Sequence, residues 1–135
     1  MRVMTGLVLA LGVSSCAPAA PSCAWMGGAP VVTAQLLFGR TRPDGGTVNE
    51  PESRDFLAEI VTPRFPDGLT VLQGSGQWRS PVTGRIAAEP STVVEIVATP
   101  TPDLARRLQE VRDAYRTRFV QESVGLVTQA NCAAF

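Results

Sequence analysis

The order of apolar and polar positions along the chain predicts four β-strands. The apolar, β-branched run at residues 31–38 ends in glycine, proline and Asp-Gly turn signals, which predicts the first strand. The second strand starts with "LTVL" at residues 69–72 and continues into "QWRS", with a bend or bulge expected at the intervening "GSG". Residues 91–99 read as a central strand because their apolar run is nearly continuous. Residues 123–132 predict the last strand.

Apolar residues at helical spacing predict one helix after the first strand and another after the third. Asn49 is placed to cap the first helix with Glu52 as its capping-box partner, and Pro63 ends it. Thr101 is the predicted cap of the second helix, with Pro102 at its first position. The apolar faces are formed by Phe56, Leu57, Ile60 and Val61 in the first helix and by Leu104, Leu108, Val111 and Tyr115 in the second.

The resulting order, β-α-β-β-α-β, predicts an α+β, ferredoxin-like two-layer sandwich, in which two helices cover one face of an antiparallel sheet. Right-handed crossovers place the third strand between the first and second, and the fourth beside the first. The uncovered face carries a mixture of Val, Thr and Gln, which suits either water or a second copy of the chain. A homodimer is therefore a possible state.

The N-terminal region predicts an exported protein held on a membrane by lipid. Residues 1–15 read as a signal peptide, because Arg2 precedes an apolar run too short to span a bilayer. The run ends in "VSSC", so Cys16 is the predicted lipidation site; an ordinary secretory signal cut near residues 17–19 is the alternative. Residues 16–30 then form a flexible tether and residues 31–135 a single domain, on the periplasmic side of an outer membrane or on the cell surface.

The remaining two cysteines, Cys23 and Cys132, predict a disulfide. They form an even pair in a compartment that permits oxidation. The predicted topology also brings the start of the first strand and the end of the fourth to the same end of the sheet. Two free thiols are the alternative.

Composition excludes several classes of function. Twelve basic and twelve acidic residues cancel, so nucleic acid is not an expected partner. The chain has no His, which removes the commonest general base and metal ligand. No metal site and no cofactor are therefore predicted.

The same topology predicts a polar cluster at the sheet end opposite the disulfide. The ends of several elements meet there and bring together Arg40, Gln77, Trp78, Arg79 and Glu122, with Arg42, Gln121 and Ser123 close by. Such a cluster suits a small anion, a sugar or a peptide, because the guanidinium groups bind carboxylate or phosphate and the indole supplies contact area. The alternative is structural, with Trp78 packed under a hairpin and Arg40 or Arg79 paired with Glu122.

Several stretches, "LLFGR", "TPRFPDGLTVL", "GQWR" and "AYRTRFVQESVGLV", resemble the bacterial family named domain of unknown function 3574. The resemblance runs from about Gln35 to the C-terminus. It implies a small exported protein or lipoprotein, and it implies no activity, substrate or catalytic residue. One departure from the family pattern is Val120, where the pattern favours glycine.

These observations favour an envelope lipoprotein that acts as a binding or structural module for a small molecule or a protein. The alternative is a small cofactor-free enzyme at the sheet end near Trp78 and Glu122, with Glu122 or Glu89 beside Tyr115 as acid or base. A third possibility is a module that adds an exposed edge strand to a partner protein. No catalytic constellation is recognisable, so the enzyme is the less favoured interpretation.

Overall fold

Four antiparallel strands and two helices build the protein in the computed structural model, which describes residues 22–79 and 83–135. The predicted signal peptide, Cys16 and the first part of the predicted tether lie outside the described residues. The elements, in chain order, are β1 (Ala29–Gly39), α1 (Glu50–Phe56), β2 (Thr70–Arg79), β3 (Ile86–Ala98), α2 (Leu104–Phe119) and β4 (Gly125–Ala133). A π-helical turn, Leu57–Val61, extends α1.

The strands form one sheet in the order β2-β3-β1-β4, and every pairing is antiparallel. The predicted α+β, ferredoxin-like architecture is confirmed. Both helices pack on one side, where they bury Leu36 and Phe38 of β1 and Val94 of β3. We call this side the helix face and the opposite side of the sheet the open face.

Several local predictions differ from the structure. β3 begins at Ile86, five residues before the predicted start of that strand. β1 begins at Ala29, so the last two residues of the predicted tether belong to the sheet. β2 pairs with β3 in unbroken register from Thr70 to Arg79, so the expected bulge at "GSG" is absent. α2 begins at Leu104 with Asp103 as its cap residue, because Thr101 lies in the turn that precedes the helix.

Aromatic rings fill the core between the helices and the sheet. Phe38, Phe56, Tyr115 and Phe119 contact one another, with ring centroids between 4.3 and 5.9 Å apart. Rings packed edge to face or tilted add about 0.5–1.5 kcal/mol per pair to the hydrophobic burial. This cluster fixes the ends of α1 and α2 against the end of β1.

The start of α1 has the predicted capping box. The Asn49 side chain accepts a hydrogen bond from the Glu52 N–H at 2.9 Å, and the Glu52 carboxylate accepts one from the Asn49 N–H at 2.9 Å. Arg42 adds an ion pair to Glu52 at 2.7 Å. Two otherwise unpaired backbone donors at the helix start are thereby satisfied.

The predicted disulfide between Cys23 and Cys132 is confirmed. Their Cα atoms are 5.5 Å apart, and Cys23 is 3% exposed. A 3₁₀ turn, Ala24–Met26, follows Cys23 and leads into β1. In the chain-entropy model a loop of this length stabilises the fold by up to about 4.7 kcal/mol. Among the described residues, no helix is both long and apolar enough to cross a bilayer.

Candidate functional site

A row of positions with little or no side chain crosses the open face near one end of the sheet. The strand register aligns Gly74 of β2 with Ser91 of β3, and Ser91 with Gly39 of β1. Gly76 lies in the next row along β2, opposite Glu89. Since directly opposed residues of antiparallel strands point to the same side, these positions form a shallow floor of backbone. We call this floor, made by Gly39, Gly74, Gly76 and Ser91, the trough.

Glu89 lies at the edge of the trough. A Cβ atom placed on Gly39 would lie 2.9 Å from the Glu89 Oε2, so glycine at this position leaves the room that the carboxylate occupies. The Oε2 atom also accepts a hydrogen bond from the Thr41 N–H at 3.3 Å. Glu89 is therefore a partly buried carboxylate that is held over the end of β1.

An indole and an apolar row complete the borders of the trough. Trp78 follows Gly76 by two positions, so strand alternation places it on the open face, where it is 51% exposed. On the other side, Leu72, Val93 and Leu37 form the adjacent cross-strand row. A ligand in the trough would contact backbone below, an aromatic ring at one end and a carboxylate at the side.

The predicted polar cluster is divided by the sheet. Arg40 lies on the helix face, where it binds Glu50 at 2.6 Å, Gln73 at 3.1 Å and the Val48 carbonyl at 2.7 Å. The alternative pairing of Arg40 with Glu122 is wrong, because Arg40 forms its ion pair with Glu50. Gln77 and Arg79 also fall on the helix face by strand alternation, opposite to Trp78.

Glu122 lies at the same end of the sheet as Arg40, as the topology predicts. Its neighbour Gln121 donates a hydrogen bond to the Thr41 carbonyl at 2.9 Å. The Glu122 carbonyl accepts one from Arg116 at 3.1 Å, while Arg79 has no ion-pair partner among the described residues. The loop after α2 thus contacts the segment that follows β1 at Thr41, one residue from Arg40.

Tyr115, which was expected beside the acid or base, makes a structural contact. Its hydroxyl donates a hydrogen bond to the Gly39 carbonyl at 2.9 Å. Burial raises the pKa of Tyr115 to about 12, so the phenol stays protonated at neutral pH. Its role is to hold the end of β1 against α2.

Two concave regions lie away from the trough. One, of about 310 Å³, is lined by Phe65 and Arg107, among others, and the Arg107 guanidinium there already binds Arg64, Thr101 and Asp103. The other, of about 720 Å³, is an open apolar groove between α2 and β4. Neither is lined by Trp78, Arg79 or Glu122. Among the described residues, no group of three or more metal-ligating side chains is present.

Sequence reasoning missed the trough because it interpreted the glycines at residues 74 and 76 as a bend. The available signal was their spacing of two, which puts both on the same side of a regular strand. The alignment of Gly39 and Ser91 with them depends on register. Register follows from the pairing of whole strands and not from local sequence.

Solved structures share this fold at low sequence identity. A phage SAM lyase in complex with S-methyl-5'-thioadenosine has a TM-score of 0.61 and 17% identity, over 78% of this chain and 90% of the lyase. The phage SAM lyase in the apo state has a TM-score of 0.57 and 19% identity, over 81% and 91% of the two chains. CutA from Synechococcus elongatus, complexed with Bis-Tris, has a TM-score of 0.52 and 9% identity, over 79% and 87%.

The preference for a binding or structural envelope module over an enzyme is wrong. The structures that share the fold over most of both chains include an enzyme, the phage SAM lyase. The alternative of a small enzyme with a site at this end of the sheet agrees better with that finding. At these identities the likeness itself shows only the fold.

The sequence comparisons identify a family without a known activity. No curated protein matches the chain. The family model described as "Protein of unknown function (DUF3574)" matches residues 33–135, which include all of α1, α2, β2, β3 and β4 and most of β1. The chain belongs to the DUF3574 family.

Proposed function

We propose that this protein is a small enzyme whose substrate binds in the trough on the open face of the sheet. The observation that carries the proposal is the glycine floor of Gly39, Gly74 and Gly76 between an exposed indole and a held carboxylate. Gly74 and Gly76 leave room for a flat group beside the Glu89 carboxylate, which occupies the space above Gly39.

The chemistry of the borders favours a positively charged substrate with a ring. The face of Trp78 attracts a cation through its ring quadrupole and also stacks on aromatic rings. Glu89 adds a negative charge one row away, and the described strand positions of the open face carry no Arg. A substrate with an anionic group at this position would meet repulsion instead.

Glu89 is the residue that we expect to take part in the reaction. The Thr41 N–H binds one of its oxygens, so the carboxylate is oriented before a substrate arrives. It is suited to stabilise a positive centre or to accept a proton from the substrate. Glu122, on the loop that meets Thr41, is another carboxylate at this end of the sheet.

S-adenosylmethionine is the compound to test first. It combines a sulfonium cation with an aromatic base, which are the two groups that the borders favour. It is also the compound after which the phage lyase of similar fold is named. The fold likeness alone does not assign it, so the binding experiment decides.

Binding is measured by the fluorescence of Trp78. The chain has two tryptophans, and a Trp25→Phe variant leaves Trp78 as the only reporter. We expect the emission of this variant to change on titration with S-adenosylmethionine or S-methyl-5'-thioadenosine. In calorimetry, Trp78→Ala should weaken binding by about tenfold or more, as loss of a stacking ring does, and Trp25→Ala should leave it unchanged.

Turnover is measured by chromatography of the substrate after incubation with the full chain. Glu89→Gln should lower the rate by about a hundredfold or more if the carboxylate transfers a proton. Glu95→Gln is the matched control, because Glu95 lies on the same face of β3 and instead accepts a hydrogen bond from Gln35 at 2.9 Å. An unchanged emission of Trp78 with these compounds and with a wider panel of nucleosides and amines would contradict the proposal.

The membrane attachment predicted from Cys16 is a separate proposal, supported by the "VSSC" stretch after an apolar run. Cys16→Ala should release the protein from the membrane fraction of cells that export it, because acyl chains on Cys16 would be its anchor. Ala20→Ser, a change in the same predicted tether that keeps Cys16, serves as the control. A Cys16→Ala protein that stays in the membrane fraction would show that lipid on Cys16 is not the anchor.

A further inference from the structure

The open face has few charges for a surface that faces water. The chain has 24 charged side chains among 135 residues, 12 basic and 12 acidic. Of these charged side chains, strand alternation places only Glu89 and Glu95 on the open face of the described strands. Depletion of charge is typical of the core of a protein interface, whereas a solvated sheet face usually alternates with polar and charged residues.

Apolar side chains lie exposed in the middle of this face. Leu37 is 41% exposed and Leu72 52%, and they belong to one cross-strand row with Val93 between them. Val127 of β4, which is 53% exposed, lies in the adjacent row. Several large apolar groups that adjoin one another on a flat surface are a mark of a docking site, unlike single exposed ones.

The hairpin of β2 and β3 extends beyond the other strands. β1 pairs with β3 only as far as Ser91, and Arg40 and Thr41 continue the contact to Pro90 and Glu89. Residues 77–79 and 86–88 therefore form a ribbon of two strands, which we call the outer ribbon. Two strands alone are marginally stable in water, so this ribbon gains from packing against another surface.

The charged residues at the end of the outer ribbon are basic, whereas those of the open face are acidic. Arg79 is the last residue of β2 and Arg85 directly precedes β3, and neither has an ion-pair partner among residues 22–79 and 83–135. Glu89 and Glu95, on the open face, likewise have no such partner among these residues. The molecule thus carries two complementary surfaces that do not reach each other within one chain.

We propose that a second copy of this chain docks on the open face, with the outer ribbon of one copy laid against the open face of the next. The apolar rows around Leu37, Leu72 and Val127 form the centre of the contact, and Arg79 and Arg85 approach the acidic residues of the neighbouring copy. This arrangement joins two different surfaces. Contacts of that kind close into a ring or extend into a filament, whereas a two-fold dimer joins identical surfaces.

The open face offers a larger surface than the outer ribbon. With strands about 4.8 Å apart and a rise of about 3.4 Å per residue, the open face outside the outer ribbon has a projected area of about 600 Å². The outer ribbon has a projected area of about 100 Å² by the same dimensions. The contact therefore includes residues around the ribbon if it reaches the roughly 800 Å² per partner of a standard interface.

The proposal does not depend on the proposed enzymatic function. The test of self-association measures mass and not activity, so either proposal can fail while the other holds. If both hold, the neighbouring copy covers part of the trough and shields it from water.

The experiment measures molar mass by light scattering and sedimentation, in a Cys16→Ala background that carries no lipid. We expect an oligomer that Leu72→Glu converts into monomer, because a carboxylate would be buried in the apolar centre. Trp25→Glu is the control, since Trp25 is exposed in the turn after Cys23 and belongs to none of the four strands. Circular dichroism verifies that Leu72→Glu remains folded, and Val127→Glu replaces it if it does not.

A second comparison tests the charge complementarity. Arg85→Glu should raise the dissociation constant of the oligomer by about tenfold, and added salt should do so in the unchanged chain. Arg54→Glu, an equal change at another arginine without an ion pair among the described residues, should have no effect. A monomer at high concentration would overturn the proposal, and so would an oligomer that Leu72→Glu and Val127→Glu leave intact. A monomer that binds lipid vesicles through Leu72 would overturn it as well.

Discussion

Val120 has a backbone conformation that its side chain disfavours. It ends α2 with φ of 55° and ψ of 47°, in the left-handed region, and its N–H donates to the Arg116 carbonyl. A left-handed β-branched residue costs roughly 1–2 kcal/mol, because its Cβ approaches the following carbonyl oxygen. Glycine avoids that contact and is the usual residue at this position of a helix end. In the sequence, Val120 is also the position that departs from the family pattern, which favours glycine.

Val120→Gly should therefore stabilise the protein. We expect a free energy of unfolding about 1 kcal/mol higher, measured by urea denaturation, because the relief of strain exceeds the extra backbone entropy of glycine. The side chain is exposed, so little apolar burial is lost. Val120→Ala keeps a Cβ at the same φ and should gain much less. A Val120→Gly protein that is less stable than the original would show that the side chain makes a contribution larger than the strain.

At the scale of single residues, prediction from sequence succeeded where a short-range rule applies. Asn49 and Glu52 are three positions apart before an apolar stripe, and this spacing specifies the capping box. Trp78 shows the opposite case. Its nearness in sequence to Gln77 and Arg79 suggested one cluster, but alternate residues of a strand point to opposite faces, so the sheet separates them.

At the scale of elements, α1 depends on its first turn. The helix has only seven residues before the π-helical turn, and a helix of that length has little stability of its own. The capping box, the ion pair from Arg42 to Glu52 and the ion pair from Arg118 to Glu59 hold it in place. Since α1 supplies Glu50 to Arg40, its position also fixes the helix face beneath the candidate site.

The capping box predicts a pH-dependent contribution to stability. The hydrogen bond from Arg42, followed by that from the Asn49 N–H, holds the pKa of Glu52 below its ordinary value of 4.5. A depressed pKa in the folded state adds stability above the unfolded pKa, and that stability is lost as the pH falls through the folded pKa. Glu52→Gln should therefore be less stable than the original chain at neutral pH, and the difference should vanish in acid.

Urea denaturation at a series of pH values measures this difference. Asp55→Asn is the matched control, because Asp55 lies on the same helix without an ion pair among the described residues. Asn49→Ala removes the other half of the box and should cost about 1 kcal/mol at neutral pH. A difference between Glu52→Gln and the original chain that persists at low pH would contradict the electrostatic explanation.

At the scale of the whole molecule, the order of elements was enough to predict the fold. Few topologies satisfy short connections, right-handed crossovers and one buried face, and the observed strand order is the predicted one. The disulfide followed from that order, because β1 and β4 are neighbours and Cys23 precedes the start of β1. The trough required the residue-by-residue register of three strands, which the order does not specify. The proposed self-association likewise depends on the assembled open face and not on any one segment.

The disulfide between Cys23 and Cys132 has a consequence for resistance to proteolysis. Together with the backbone between them, the two sulfur atoms form a closed covalent loop around the domain. A protease that cuts one exposed turn, such as residues 44–46, opens this loop without releasing a fragment. The severed segments stay joined and close to each other, so the nicked molecule can retain its fold until a reductant separates them.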